Sequence, residues 1–385
     1  MADKKDVANL FLNLAEGLEG GSFSVKFPIG LTIPGSEHGN EELVMAARIA
    51  KANNPDLDVI LIGGEEVEGF KCFPCETLEE AHKKMETLFK DEVIKACVTM
   101  HYNFPLGVST VGKVITPARG REMIIATTTG TTDANKYKAM LLNVIAGIAT
   151  AKANGIKEPT VGLLNIDGIP VIEKALNKLL DKGYKFKFAT SNRADGGARM
   201  RGNDLLQGTA DVMVCDTLTG NLLIKMFSSF MTGGNYEATG FGYGPCVGQG
   251  YDDVVGIVSR ASGAPIIANA LKFIADSARG DVHKLYTTEL KACQKAGLED
   301  LLLNMPGAKP QEPSVKEEVK VPPKKTVEAG IPGIDVMDIE DACKALWKAG
   351  IYAETGMGCT GPVIMVSNLD LNASKEILKK ADYIN

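Results

Sequence analysis

The chain has 385 residues, of which 45% are hydrophobic and 23% charged, a composition typical of a globular protein with about two or three domains. The formal net charge of -6 disfavours nucleic acid as a partner, because an acidic surface repels phosphate backbones. No apolar run approaches the ~20 residues that cross a bilayer, and the polar N-terminus shows no signal-peptide core. We therefore expect a cytoplasmic protein that has no membrane partner.

The eight cysteines are too sparse and scattered for a disulfide scaffold. The four histidines lie far apart and show no metal-ligand spacing with these cysteines. We therefore expect free thiols, no metal site and no cofactor on this chain.

Short apolar segments alternate with helical patterns in the region 1–305, which we take as the body of the protein. Strands are predicted at Pro28–Ile33, Asp58–Gly63, Glu122–Thr127, Thr160–Asn165, Ala210–Cys215 and Val254–Val258, and a long helix at about Asn135–Asn154. Buried strands that alternate with helices imply right-handed crossovers and an α/β fold with a largely parallel, doubly wound sheet. Such sheets bind ligands at the carboxyl ends of their strands.

Three strand-to-helix turns in the body are suited to phosphate. They are Gly35–Asn40, Asp216–Lys225 and Ser259–Gly263. Each places small residues and backbone N–H groups at the positive end of a helix. One such turn alone could be an ordinary helix cap, but three turns of one parallel sheet can share a single crevice.

Three other segments are open to two interpretations each. Cys72 and Cys75 precede a predicted helix, as in redox proteins, but no other feature of a thioredoxin domain accompanies them, so a simple loop pair is the alternative. The glycine-rich segment Gly240–Gly250 is predicted to be irregular, either a mobile lid or a surface loop. The loop Ser191–Asn203 carries three arginines that either bind an anionic group or are solvated.

The clearest boundary is a segment rich in proline and charge at residues 306–333. Between Pro306 and Pro332 it holds six of the 17 prolines together with nine Lys or Glu residues. Such a composition cannot form a core, so we predict an extended linker, with a long surface loop as the alternative.

The remaining residues, 334–385, are predicted to form a small module that docks elsewhere, because so short a segment buries little core. Asp338 can cap its first helix and Asn372 its last, with strands at Ile351–Ala353 and Pro362–Ser367 between them.

Cys359 lies between two glycines in the loop predicted to join these strands. Glycines allow turns in which successive N–H groups converge on an anion. Such donors would stabilise a thiolate and, later, the oxyanion of a thioester intermediate. Cys359 is therefore the predicted nucleophile, with a small buried hydrophobe as the alternative.

Two motifs, AETGMGCTGP in the module and GNDLLQGTADVMVCDTLTGNLLIK in the body, carry a resemblance that extends over essentially the whole chain. The sequence resembles the alpha subunits of component C of the glycine/sarcosine/betaine reductase complex. The body is more distantly similar, through ADVMVCDTLTGNLLIK and SGAPIIANALKFI, to the phosphate acyltransferases of phospholipid synthesis. This second resemblance implies an isocitrate-dehydrogenase-like fold of two subdomains that makes acyl phosphates from acyl thioesters and phosphate.

The first resemblance implies a specific reaction. An acetyl group derived from carboxymethylated selenoprotein A would be held as a thioester on Cys359, and inorganic phosphate would release it as acetyl phosphate. The implied partners are the beta subunit of component C and selenoprotein A. We also hypothesise that residues 334–385 swing on the linker as a built-in acyl carrier.

Candidate roles for the other residues follow from the same resemblance and the three turns. Asn221, Lys225 and Ser262 are candidates for phosphate contact, His38 for positioning or proton transfer, and Asp216 for orienting a partner residue.

Three alternative functions remain open. The chain could be a stand-alone phosphate acyltransferase or phosphotransacetylase that uses acetyl-CoA. It could instead be a non-catalytic scaffold for the beta subunit, or a thiol-redox protein built on Cys72 and Cys75.

Overall fold

The computed structural model describes residues 26–194, 196–307, 319–334, 338–358, 361–381 and 383–384. Within these ranges, the body forms one sheet of twelve strands. The strands are β1 (Phe27–Thr32), β2 (Leu57–Ile62), β3 (Lys71–Phe73), β4 (Ala96–Thr99), β5 (Val108–Ile115), β6 (Glu122–Gly130), β7 (Thr160–Leu164), β8 (Lys187–Phe188), β9 (Arg199–Met200), β10 (Val212–Val214), β11 (Gly244–Gly248) and β12 (Val255–Ile257).

Helices cover both faces of this sheet. They are α1 (Asn40–Asn53), α2 (Leu78–Lys90), α3 (Lys136–Ala153), α4 (Ile169–Asp181), α5 (Gly202–Gln207), α6 (Thr217–Ser229), α7 (Ala264–Arg279), α8 (Val282–Lys295) and α9 (Leu298–Leu303), with a 3-10 helix at Phe230–Thr232. The predicted long helix is confirmed as α3, which begins after Asn135, whose side chain accepts hydrogen bonds from two backbone N–H groups of the first turn.

The strand order is β3-β2-β1-β4-β12-β11-β5-β6-β10-β7-β8, with β9 also paired to β7. Strands β3, β2, β1, β4 and β12 pair in parallel, and so do β6, β10, β7, β8 and β9. Antiparallel β11 and β5 join these two parallel halves. The predicted α/β class with a largely parallel sheet is thus confirmed, and its antiparallel centre is a feature that the sequence did not predict.

The core lies on both faces of the sheet. In β6, Ile124 and Ala126 belong to one apolar cluster, whereas Ile125 between them belongs to the other. Successive side chains of a strand point to opposite faces, so a continuous apolar run is what a sheet covered on both sides requires.

The prediction of an irregular segment at Gly240–Gly250 was wrong for its second half. Gly244–Gly248 forms β11 between β12 and β5, at the centre of the sheet. A Cβ atom at Gly244, where φ is +84°, would lie 1.7 Å from the carbonyl oxygen of Val111. Glycine therefore permits a close strand contact here that any other residue would prevent.

The C-terminal module contains an antiparallel sheet with the order β13-β15-β14. Its elements are β13 (Ala329–Pro332), α10 (Ile339–Lys348), β14 (Ala353–Gly358), β15 (Gly361–Val366) and α11 (Leu371–Lys380). Strand β13 lies in the segment predicted as linker, and it pairs with the module. Strand β14 also runs five residues beyond its predicted end at Ala353, to Gly358. The N-cap of α11 is Asp370 rather than the predicted Asn372.

Two kinds of feature are absent from the described residues. No helix among them combines the length and apolar character that a membrane span needs. In the same ranges, no three His, Cys, Asp or Glu side chains are grouped closely enough to hold a metal ion.

Candidate functional site

Helix α6 starts directly after β10 and is fixed there by Asp216. The Asp216 carboxylate accepts hydrogen bonds from the backbone N–H (3.0 Å) and the hydroxyl (2.5 Å) of Thr219. Asp216 is thus the N-cap of α6. The structure gives this candidate residue a role in positioning the helix.

Helix α6 lies unusually close to the carboxyl end of β6. A Cβ atom at Gly220 would lie 1.9 Å from the carbonyl oxygen of Thr127, so only glycine allows this approach. The next residue, Asn221, donates a hydrogen bond of 3.0 Å from its side-chain amide to the carbonyl oxygen of Thr128. Lys225 is one turn further on the same side of the helix, because residues four apart are neighbours.

Lys225 contacts a buried carboxylate that the sequence analysis did not single out. Its Nζ atom lies 3.5 Å from Oε1 of Glu237, and the Lys225 side chain is 50% exposed whereas that of Glu237 is 3% exposed. The Lys225 ammonium also lies 5.6 Å from the ring centroid of Tyr243. The ammonium is therefore held by a buried carboxylate, while half of the Lys225 side chain is exposed.

Ser262 binds the same carboxylate. Its hydroxyl donates to Oε2 of Glu237 (2.9 Å) and accepts from the backbone N–H of Ser259 (3.0 Å). Ser262 is fully buried. In this arrangement its hydroxyl supports Glu237 and does not reach solvent.

His38 lies beside the turn that contains Ser262. Its Nε2 atom is 3.2 Å from the carbonyl oxygen of Ala261, and its ring centroid is 5.0 Å from that of Tyr236. A carbonyl oxygen only accepts, so this contact favours the tautomer with the proton on Nε2. His38 is exposed, and the loop from β1 brings it to the turn that follows β12.

The N-terminus of α7, predicted as a phosphate contact, already holds a carboxylate of the protein. Glu42 accepts hydrogen bonds from the backbone N–H of Ala264 (2.6 Å) and from the Tyr236 hydroxyl (2.5 Å). Burial alone would raise the pKa of Glu42, but these hydrogen bonds and the nearby His38 lower it below its ordinary value. Glu42 thus occupies the place where the helix dipole would favour a bound anion.

The candidate residues therefore fall into two groups. Lys225, Ser262 and His38 gather around Glu237 and the turn after β12, where the two parallel halves meet. Asp216 and Asn221 fasten α6, the helix that carries Lys225. No spacing signal marks Glu237, since it is a single acidic residue in an irregular segment and gains its partners only through tertiary structure.

The cysteine pair does not have the surroundings of a reactive dithiol. Burial, and then the nearby Glu80, raise the pKa of the Cys75 thiol, which disfavours the thiolate that redox chemistry needs. The N-terminus of α2 is already capped by Thr77 and Glu80. Cys72 instead accepts a hydrogen bond from the backbone N–H of Val67.

Two of the loop arginines bind within the protein. Arg199 donates to the Glu173 carboxylate at 2.6 Å, and Arg193 donates to the carbonyl oxygen of Gly196 at 2.8 Å. These contacts favour a structural role for this part of the loop.

Cys359, the predicted nucleophile, lies outside the described residues. The described residues on either side of it, Gly358 and Gly361, pair with each other in the β14–β15 ladder. The other cysteines are free thiols, and burial raises the pKa of those in the core. These are Cys97, Cys215, Cys246, Cys293 and Cys343.

Comparisons with known proteins agree with the predicted resemblance. A family model described as fatty acid synthesis protein matches residues 27–365. The chain is 51% identical over 381 residues to the glycine/sarcosine/betaine reductase complex component C subunit alpha of Peptoclostridium acidaminophilum, with 99% of each chain covered.

Two more distant likenesses involve acyl-transferring enzymes. The chain is 25% identical over 241 residues to a phosphate acyltransferase of Bacillus mycoides (strain KBAB4), which covers 51% of this chain and 69% of that protein. The crystal structure of a branched-chain phosphotransacylase from Enterococcus faecalis V583 matches with a TM-score of 0.45 and 17% identity, over 66% of this chain and 99% of that one. From the family model and the 51% identity, the chain belongs to the fatty acid synthesis protein family and, within it, to the alpha subunits of component C of glycine/sarcosine/betaine reductase.

Proposed function

We propose that this chain is the acetyl-transferring subunit of component C. Cys359 accepts an acetyl group derived from carboxymethylated selenoprotein A as a thioester, and inorganic phosphate then releases it as acetyl phosphate. Two likenesses support this proposal. The near full-length relative is a component C alpha subunit, and a more distant relative over 241 residues is a phosphate acyltransferase.

The observation that carries the proposal is the placement of the Lys225 ammonium. The buried carboxylate of Glu237, which is bonded through its backbone to the turn after β12, holds this ammonium, while half of the Lys225 side chain is exposed. A fixed, partly accessible lysine side chain attracts and binds inorganic phosphate.

The proposed phosphorolysis balances without a further reactant. An oxygen of hydrogen phosphate bonds to the thioester carbonyl carbon, and the carbon–sulfur bond breaks. The electron pair of that bond returns to the sulfur of Cys359, and the proton of hydrogen phosphate ends on the thiol. His38, exposed beside the turn that contains Ser262, is the proposed carrier of this proton.

The proposed partners are the beta subunit of component C and selenoprotein A, and inorganic phosphate is the proposed second substrate. We propose that the reaction takes place in the cytoplasm and that this chain supplies its part of the chemistry with side chains alone. Water must be kept from the thioester, because hydrolysis would destroy the activated acetyl group.

The test is acetyl phosphate formation by the reconstituted complex. Cys359→Ala should abolish the product that is formed from carboxymethylated selenoprotein A. Product formed from acetyl-CoA at the normal rate by this variant would instead support a stand-alone phosphotransacetylase. Undiminished output from Lys225→Ala and Asn221→Ala variants would support a scaffold role.

A further inference from the structure

Glu237 is a carboxylate buried at the meeting point of the two parallel halves, with 2% of its surface exposed. Removing a carboxylate from water is costly unless other donors replace the solvent. Three side chains supply such donors. Tyr243 and Lys225 approach Oε1 at 3.0 and 3.5 Å, and Ser262 approaches Oε2 at 2.9 Å.

Two of these donors are part of the rigid core. Tyr243 and Ser262 are both buried. Burial, and then the charge of Glu237, raise the pKa of Tyr243, so the phenol keeps its proton and remains a donor. Each oxygen of the carboxylate thus has a buried hydroxyl donor of its own.

The backbone of Glu237 is fixed as well. Its N–H donates to the carbonyl oxygen of Ala261, and its own carbonyl oxygen accepts from the N–H of Gly263, both at 2.9 Å. Together with the two hydroxyls, these bonds hold the carboxylate in place independently of Lys225.

Lys225 differs from the other two donors, because half of its side chain is exposed. A long lysine side chain on a helix surface ordinarily samples many rotamers, and ordering it costs entropy. A carboxylate that is fixed in advance selects the rotamers that place the ammonium beside it. The pair therefore combines a buried, fixed carboxylate with a lysine whose side chain is half exposed.

We propose that Glu237 is a positioning residue that holds the Lys225 ammonium in the orientation in which it binds inorganic phosphate. This inference rests on the proposed function, in which Lys225 contacts phosphate. Glu237 does not touch phosphate itself, since two anions repel each other and the carboxylate is covered by its three donors. It acts through Lys225.

The experiment measures kcat and the KM for inorganic phosphate in acetyl phosphate formation by the reconstituted complex. Glu237→Gln keeps the shape of the side chain and removes its charge. We expect this variant to raise the KM for phosphate about tenfold and to leave kcat at saturating phosphate within about twofold. Glu237→Asp keeps the charge on a shorter side chain, so its KM for phosphate should lie between those of Glu237→Gln and the wild type. Glu237→Asp replaces Glu237→Gln as the test variant if Glu237→Gln does not fold.

The double variant separates positioning from an independent effect. If Glu237 acts through Lys225, adding Glu237→Gln to Lys225→Ala should change the KM by no more than about twofold beyond Lys225→Ala alone. If the rise in KM of the double variant instead equals the product of the rises in the two single variants, the inference is overturned.

Glu289 offers a matched control. It is also buried, and it binds a lysine (Lys152) and a tyrosine (Tyr184). Lys152 lies on α3, which packs on the apolar cluster of one face of the sheet, whereas Ile224 of α6 and Tyr243 belong to the cluster of the other face. Glu289→Gln should lower the melting temperature and leave the KM for phosphate unchanged.

The outcomes separate the positioning role of Glu237 from the phosphate contact of Lys225. A raised KM in Lys225→Ala with an unchanged KM in Glu237→Gln would overturn the positioning role alone. Equal effects of Glu237→Gln and Glu289→Gln on the KM for phosphate would also overturn the positioning role of Glu237. An unchanged KM in Lys225→Ala would overturn the phosphate contact of the proposed function, and the role of Glu237 with it.

Discussion

A Cβ atom built on Gly356 would lie 3.9 Å from the Cβ atom of Asn103, so strand β14 of the module contacts the loop after β4 of the body. Two further contacts among the described residues are polar. Lys83 and Glu328 form an exposed ion pair at 3.4 Å, and Asn103 lies 4.0 Å from the sulfur of Met365. A cavity of about 670 Å³ remains between the two parts.

This contact is much weaker than a domain core. Of the body, only Leu106 is among the described residues that pack on the apolar cluster of the module. Exposed ion pairs contribute about 1 kcal/mol or less. Such a contact is compatible with a module that docks on the body and leaves it again, as the carrier hypothesis requires.

A disulfide between Asn103→Cys and Gly356→Cys tests whether the module must move. The two Cβ positions suit a disulfide, and the built Cβ at Gly356 makes only ordinary contacts. If the module leaves the body to receive its acetyl group, oxidation of the double variant should reduce turnover at least about tenfold, and reduction should restore it. Electrophoresis without reductant measures how much of the protein is cross-linked.

The single variants Asn103→Cys and Gly356→Cys serve as controls for the effect of each new thiol alone. Each should keep its turnover under the same oxidising conditions. Full turnover of a completely cross-linked double variant would show that the module works while docked.

Gly220→Ala should damage both stability and phosphate use. The added methyl group would meet the carbonyl oxygen of Thr127 at 1.9 Å, so α6 must move away from β6. Overpacking of this kind costs about 1–3 kcal/mol, and the shift displaces Asn221 and Lys225. Urea unfolding and the KM for phosphate measure the two effects. A methyl group added at Gly202 meets nothing within 4 Å, so Gly202→Ala should change both the stability in urea and the KM for phosphate very little.

Because of His82, the free energy of unfolding should decrease as the pH is lowered from 6.5 to about 4. Burial, and then the nearby His101, lower the pKa of His82 from 6.5 to about 4. The unfolded chain therefore binds a proton in this window that the folded chain does not, and stability decreases as the pH falls. The largest loss from this residue is about 3 kcal/mol.

Urea unfolding across this pH range provides the measurement. His82→Gln should show a shallower decrease than the wild type, since glutamine does not titrate. Parallel pH profiles for the two proteins would contradict the buried neutral state of His82.

The cysteine pair should be dispensable for turnover. Because the pKa of Cys75 is raised, its thiolate is a minor species near neutral pH. Cys72→Ser/Cys75→Ser should form acetyl phosphate at close to the wild-type rate. A loss of activity that thermal unfolding does not explain would point to dithiol chemistry.

The fold could be predicted where a strand is a short apolar run between turn residues, as at Leu57–Ile62 and Thr160–Leu164. It could not be predicted where the tertiary setting decides the conformation. Gly244–Gly248 has a composition typical of loops, yet it pairs with two strands because its glycines allow a close approach. Ala329–Pro332 resembles the linker in composition but pairs with β15.

The candidate site, like the fold, could be predicted from the sequence only in part. The turn residues His38 and Ser262 could be found from sequence because strand-to-helix turns have recognisable patterns. That Ser262 and Lys225 bind the same carboxylate, with His38 beside the turn that contains Ser262, depends on how the two halves of the sheet join. Glu237 could not be found, because one acidic residue in a loop becomes notable only when its burial and its partners are known.

The most direct test of the proposed reaction is mass spectrometry of this chain, taken from the reconstituted complex during turnover without added phosphate. Peptide mapping should locate one acetyl group on Cys359, and addition of inorganic phosphate should remove it as acetyl phosphate appears. An acetyl group on another side chain, or one on Cys359 that phosphate does not remove, would contradict the account.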